Sequence, residues 1–368
     1  MTDDSPNDTS TLMESAKPQA AEGDSAKPGV AESDADPQES FVDAMTHAAF
    51  VRTAGNLTVA VTGAAGFVGR HVCRTLIEHG HGVRALVRDP RRAAHLPRAA
   101  QAIKGDVFDR ASLDRFVDKI DACIHLVGII KEQPRLDITF ERLHVEATAN
   151  VVAACESAGV LRYVHMSALG ARPDAVARYH RTKFEAEQIV RASRLPWTIF
   201  RPSLIHGPEG ELTEMVARWV RGQASPFLFM PWFGAGPLGR GPKRLVQPIY
   251  IEDLAEAFAR SIETERTVRE VYPIGGPDRM TWPEMLYAFR DAIAPGSKKR
   301  ALAIPAWKAM AMAKIMAAAS LGSLLPFNVD QIIMSQEDST CDTLRVEQHL
   351  GLALTSFAES LDRYASSL

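Results

Sequence analysis

Val59-Ala60-Val61-Thr62-Gly63-Ala64-Ala65-Gly66-Phe67-Val68-Gly69 is an apolar run that breaks into evenly spaced glycines and then resumes with helical periodicity. Residues 57–61 are rich in β-branched side chains and alternate little, as a strand buried on both faces of a parallel sheet does. Gly63 permits a tight turn, Gly66 lets the backbone approach a pyrophosphate, and Gly69 lets the new helix pack closely on the strand. The unpaired N–H groups and the positive dipole end of that helix favour an anion. This G-x-x-G-x-x-G spacing between a strand and a helix predicts a dinucleotide-binding turn, with Gly63, Ala65, Gly66, Phe67 and Val68 against the cofactor.

Working outward, Phe67, Val68, Val72, Leu76 and Ile77 share one helical face that Gly80 closes. Residues 83–87 read as the second strand. The position just beyond it separates cofactors, an acid binding a ribose 2′-hydroxyl and a base accommodating a 2′-phosphate. Arg88 comes first there, with Arg91 and Arg92 close by, which favours NADP(H); Asp89 keeps NAD(H) open. Residues 102–107 give a third strand and its exit, and 120–127 a fourth that ends at Gly128. Residues 143–159 form a helix and 162–167 a fifth strand. The alternation predicts an α/β fold, a doubly wound parallel Rossmann sheet with ligands at the carboxyl ends of its strands.

The 368 residues allow one large α/β domain or two ordinary ones. A net charge of −3 with interspersed signs argues against nucleic acid and for a small ligand. Cys73, Cys123, Cys155 and Cys341 form no C-x-x-C pair and sit in apolar runs, as reduced core residues of a cytoplasmic protein do. The histidines show no H-E-x-x-H spacing, so no metal site is expected. Residues 1–52 make an acidic tail, rich in Ser, Ala and Pro, that has too little apolar surface to offset ordering entropy. The tail lacks the apolar core of a signal peptide and the Arg-rich character of a transit segment.

Tyr179 and Lys183 stand four residues apart on a further helix and share a face. An ammonium nearby lowers a tyrosine pKa that starts near ~10, which suits the phenol to general acid–base work in a hydride transfer. With Ser167 at the end of the fifth strand, these are the candidate catalytic residues.

Together, Thr62-Gly63-Ala64-Ala65-Gly66-Phe67-Val68-Gly69, Gly105-Asp106-Val107, Tyr179 with Lys183, and Arg201-Pro202-Ser203-Leu204-Ile205-His206-Gly207-Pro208 reach a family. The chain resembles the extended and atypical short-chain dehydrogenase/reductases, the NAD-dependent epimerase/dehydratase-like proteins, over residues 57–361. His144-Val145-Glu146-Ala147-Thr148, His165-Met166-Ser167-Ala168-Leu169-Gly170 and Gln247-Pro248-Ile249-Tyr250-Ile251 are most similar to the branch holding the nucleotide-binding accessory subunit of respiratory complex I and its bacterial relatives. The resemblance implies that Asp106 bonds the adenine amine and that Val107 supplies a backbone contact. It also implies that Val127 and Gly128 line ribose and pyrophosphate, that Lys183 holds the nicotinamide ribose, and that Pro202 and Ser203 border the nicotinamide. The extended enzymes place two hydroxyl residues after the fifth strand, the second catalytic; here the pair is Ser167-Ala168.

The domain reading is a Rossmann domain over 53–208 with a return near 245–262, and a smaller substrate or interaction lobe from 209–244 and 263–368. In that lobe Thr281-Trp282-Pro283-Glu284 is a capping box. Phe227, Phe229, Trp232 and Phe233 lie among prolines as a lid or pocket wall. Residues 305–325 are Ala- and Met-rich, with Trp307, Lys308 and Lys314. Two lysines argue against a span, and packing on this protein or a partner is favoured over peripheral contact with the inner face of a membrane. The expected function is NADP(H)-dependent oxidation or reduction of an apolar carbonyl, alcohol or quinone-like substrate. The rivals are a non-catalytic accessory or assembly protein of a respiratory complex that keeps the dinucleotide as a structural ligand, and an NAD-dependent sugar-nucleotide epimerase/dehydratase.

Overall fold

The computed structural model describes residues 56–319 and 325–368; the acidic stretch 1–52 lies outside the described residues. From the amino end, β1 (Thr58–Thr62) passes through the glycine turn into α1 (Phe67–Glu78). β2 (Gly82–Val87), β3 (Gln101–Lys104), α2 (Arg110–Val117), β4 (Ala122–His125), α3 (Ala147–Ala158), β5 (Arg162–Met166), α4 (Arg178–Ala192) and β6 (Trp197–Pro202) complete the alternation. The chain then runs through β7 (Ile205–His206), α5 (Glu211–Arg221), β8 (Phe229–Gly234), β9 (Leu245–Val246), β10 (Ile249–Tyr250) and α6 (Ile251–Glu263). It continues as β11 (Glu270–Ile274), β12 (Met280–Thr281), α7 (Trp282–Ile293), β13 (Arg300–Pro305), α8 (Ala306–Ala318), α9 (Val329–Met334), α10 (Leu344–Leu350) and α11 (Phe357–Tyr364).

Seven parallel strands pair in the order β11-β6-β5-β4-β1-β2-β3. Growth of the sheet reverses between β1 and β4, which opens a crevice at their carboxyl ends. The period-two alternation of the strands divides the core. Val59 and Val61 pack with Val68, Val72 and Leu76 of α1 and with Leu254, Phe258 and Ile262 of α6. Ala60, Cys123 and Tyr163 face the other way, against Leu113 and Phe116 of α2, Val151 of α3 and Val190 of α4. Cys73, Cys123 and Cys155 are buried free thiols. The sheet's edge strand β11 comes from residues expected in the smaller lobe, while β9 and β10 pair with β12 and β7 in separate two-stranded sheets.

The helix ends follow their residue types. Gly80 (φ +86°) and Gly159 (φ +67°) stop α1 and α3 in the left-handed region. The Thr281–Glu284 capping box opens α7, which buries Met285, Leu286 and Phe289. At the amino end of the sheet, His79 and His81 bond Glu256 and Glu263 and so tie α1 to α6. Three donor atoms of His79, His81 and Glu263 lie within 4.8 Å of one another. The Leu57 N–H reaches His81 Nδ1 at 3.3 Å, which leaves the ring proton on Nε2 to be donated to Glu263, so the cluster is a hydrogen-bonded staple.

In the smaller lobe β8 and β13 form a parallel ribbon. Phe233 and Ile304 of the ribbon pack beneath α8 at Ala306, Ala309 and Ala313. No described helix is long and apolar enough to cross a membrane.

Candidate functional site

The glycine turn has the stereochemistry its spacing calls for. Gly63 takes φ +69°, and Gly66 N–H donates to the Gly63 carbonyl at 3.0 Å. A Cβ on Gly63 would lie 2.9 Å from the Leu126 backbone, and one on Gly69 would lie 2.6 Å from Ala64 Cα. Both positions are therefore close backbone approaches. Gly66 caps α1 without a side-chain hydrogen bond, and no acid occupies the first turn, so the N-terminal amides keep their affinity for an anion. Ala65 and Phe67 are half-buried beside them, and Val68 points into the core. These residues fit a dinucleotide pyrophosphate.

Polar side chains then gather under the carboxyl ends of β1, β4, β5 and β6, on the face covered by α3 and α4. Lys183 is buried and donates to the Met166 carbonyl at 2.9 Å. A Cβ on exposed Gly128 would stand 3.0 Å from Lys183 Nζ and 3.6 Å from His144 Nε2, so this loop lies directly over both. His144 is aimed by a π-helical turn (Glu141–Glu146) that precedes α3. It bonds Thr182 Oγ1 at 2.8 Å and the Ile129 backbone. Beneath it, His125 joins Thr62 at 2.7 Å to Thr148 at 3.2 Å and stacks on His165. Burial, reinforced by the Lys183 charge, holds His125 and His144 far below the usual imidazole range and so neutral.

Burial also pushes the Lys183 ammonium down to about 8, opposed by the carboxylate of Glu187. Because the folded value is depressed below 10.5, the unfolded chain holds this proton more tightly. The penalty is full below about pH 8 and is relieved as pH climbs towards 10.5. Urea titrations across that window should show stability rising in the wild type, and the Lys183 share of the rise should be missing in Lys183→Met. Identical slopes would mean that the ammonium is solvated.

Three expectations change. The Tyr179 phenol is not lowered by Lys183; burial raises it to about 12. The ring packs edge-on against His144 and Phe140 at centroid distances of 5.3 and 5.8 Å, while Lys183 turns to Met166. Ser167 is the second. Its hydroxyl donates at 2.5 Å to Glu187, a fully buried carboxylate that also takes the Arg201 guanidinium at 2.7 and 2.6 Å. The third concerns Arg88, which is exposed, with no hydrogen bond or ion pair to fix it among the described residues, whereas Asp89 accepts the Arg91 N–H at 2.9 Å.

The remaining residues lie round the same crevice. Asp106 Oδ1 accepts the Phe108 N–H at 3.0 Å, and the Val107 carbonyl accepts Asn150 at 3.1 Å. Val127 is half-buried at the end of β4. Pro202 and Ser203 close β6, where the Leu169 N–H reaches the Pro202 carbonyl at 2.8 Å and the Ser203 hydroxyl donates to the Gln247 carbonyl. His125, His144, His165 and Glu187 were not among the expected site residues. Their signal was a polar residue at the end of an otherwise apolar strand or on the inner face of a helix.

Fold and site together define a dinucleotide-binding Rossmann protein with the architecture of NAD(P)-dependent oxidoreductase-type enzymes. A family described as NAD(P)H-binding matches residues 63–219. A ceramide reductase of Caulobacter vibrioides is 30% identical over 256 residues, 67% of this chain and 73% of its own length. The Arabidopsis thaliana mitochondrial NADH dehydrogenase [ubiquinone] 1 alpha subcomplex subunit 9 is 28% identical over 288 residues, 75% of this chain and 69% of the relative. The chain belongs to this NAD(P)H-binding Rossmann family, with the ceramide reductase and such complex I subunits among its relatives.

Among solved structures, the Thermus thermophilus UDP-glucose 4-epimerase complex with NAD matches with TM-score 0.63 and 19% identity, covering 84% of this chain and 98% of that one. MoeE5 with UDP-glucose and NAD gives TM-score 0.61 and 20% identity over 84% and 97%. These complexes hold NAD, which overturns the expected preference for NADP(H). The physical reason lies in the β2 exit: Arg88 is an exposed charge that no hydrogen bond or ion pair orients among the described residues, and the acid Asp89 remains beside it.

Proposed function

We propose that this protein holds NAD(H) as a resident ligand and serves as a binding or assembly component of a larger complex. The observation that supports this reading is the state of Ser167, the one hydroxyl after β5, which is spent on buried Glu187 and followed by Ala168. A Tyr179 phenol raised by burial, with the Lys183 ammonium bonded to the Met166 carbonyl, points the same way. The subunit-9 relatives are named as parts of such an assembly. The amides of α1 would take the pyrophosphate, Lys183 the nicotinamide ribose, and Asp106 the adenine.

Reduction of an apolar carbonyl is the second reading. It is favoured by Tyr179 and Lys183 one turn apart on α4 and by the ceramide reductase relative. In that case Tyr179 exchanges the proton. The deciding experiment follows the reduced-nicotinamide absorbance of the purified protein through gel filtration, then screens carbonyl compounds and quinones for oxidation of NADH. Dinucleotide retained without turnover is the expected result. Turnover that falls ~10²–10⁴-fold in Tyr179→Phe, with NADH affinity intact, would replace the binding role with the enzyme.

A further inference from the structure

The smaller lobe carries a surface whose charge runs against the rest of the chain. Residues 222–251 and 292–329 contain no aspartate or glutamate in a protein of net charge −3. The two segments meet where β8 pairs with β13, and Trp307 Nε1 donates to the Pro237 carbonyl at 3.0 Å, fastening the start of α8 to the loop after β8. Arg240, Lys243, Lys298, Arg300, Lys308 and Lys314 are all exposed here. Arg244 is set apart, drawn to Asp338 at 4.0 Å.

The same segments supply eight of the twelve large apolar side chains exposed among the described residues. Leu228 is 86% exposed, Leu238 72%, Ile315 68%, Phe227 57% and Trp307 55%. Helix α8 is apolar nearly all round. Ala306, Ala309 and Ala313 are buried on the ribbon, while Trp307, Ala311, Ile315 and Ala318 form the outward stripe, edged by Lys308 and Lys314. Beside it, the uncovered half of the ribbon presents Arg300 and Leu302, two apart on β13 and so on one face.

We infer that this face docks on the surface of an anionic lipid bilayer, with Phe227, Leu228, Leu238, Trp307 and Ile315 entering the headgroup boundary and the six cations engaging phosphate. Two features favour lipid over protein. Protein interface cores are depleted of lysine, whereas cations here alternate with apolar tips. Trp and Lys side by side are the anchors of a membrane interface. Charge complementarity selects an anionic leaflet, which gains about fivefold in partition for each cation near it. The inference does not depend on whether the bound dinucleotide is turned over.

Sedimentation of the full chain with vesicles tests it, phosphatidylcholine alone against phosphatidylcholine mixed with phosphatidylglycerol. Binding to the mixed vesicles should exceed binding to the neutral ones and weaken with salt. Lys308→Gln with Lys314→Gln should lower partition roughly 30-fold. Leu228→Glu with Ile315→Glu should abolish it. All four side chains are exposed, so unchanged thermal melting confirms that each variant is folded. Equal partition onto both vesicles, or variants that bind like the wild type, would overturn the proposal. Binding to neither vesicle would also overturn it and give this face to a protein partner, or to a second copy if light scattering shows a dimer.

Discussion

Glu187→Ala should destabilise the folded protein by about 3–5 kcal/mol, the usual consequence of removing one partner from a buried ion pair. The carboxylate is fully buried and accepts from Ser167 at 2.5 Å and twice from Arg201, at 2.7 and 2.6 Å. Truncation leaves a largely buried guanidinium without its carboxylate partner and a buried hydroxyl with no acceptor. Glu187→Gln keeps an acceptor for one of them and should cost about 1–3 kcal/mol. Urea unfolding at neutral pH measures both. A loss below about 1 kcal/mol for the alanine variant would show that the network relaxes or hydrates, and would free Ser167 for other work.

Gly69→Ala should lower NADH affinity by on the order of 100-fold while costing about 1–3 kcal/mol of stability. The added methyl group would collide with the Gly63 carbonyl oxygen and stand 2.6 Å from Ala64 Cα and 2.7 Å from the Ala64 oxygen. All of these are backbone atoms of the turn that presents its amides to the pyrophosphate. No rotamer can absorb the collision, so α1 must lift from β1 and take its N-terminus with it. Gly159→Ala is the control. Its φ of +67° strains a side chain, but nothing lies within 4 Å, and α3 ends far from the turn. It should cost about 1 kcal/mol and leave NADH binding unchanged. Calorimetric titration of both variants decides the point, and equal loss of affinity in the two would refute a local role for Gly69.

The sheet and its glycine turn were legible in the residues because their causes are local. A strand buried on both faces has to be apolar throughout, a turn at φ +69° admits glycine, and Gly80, Gly159 and the Thr281–Glu284 box punctuate helices by backbone chemistry that neighbouring residues control. The Tyr179–Lys183 pair was legible as a spacing only. Its electrostatics depended on where each side chain turned, and that was decided by Met166 on β5 and by the Phe140–His144 packing, neither close in sequence to Tyr179. The same holds for Ser167, whose acceptor Glu187 stands twenty residues on and is paired with Arg201, which arrives from β6. Arg88 looked like a phosphate reader because charge can be read from sequence, whereas its exposure, with no partner to orient it among the described residues, is a property of the folded surface. The cationic apolar face of the smaller lobe likewise exists only once β8 and β13 pair, since that ribbon brings together two acid-free segments some forty residues apart along the chain.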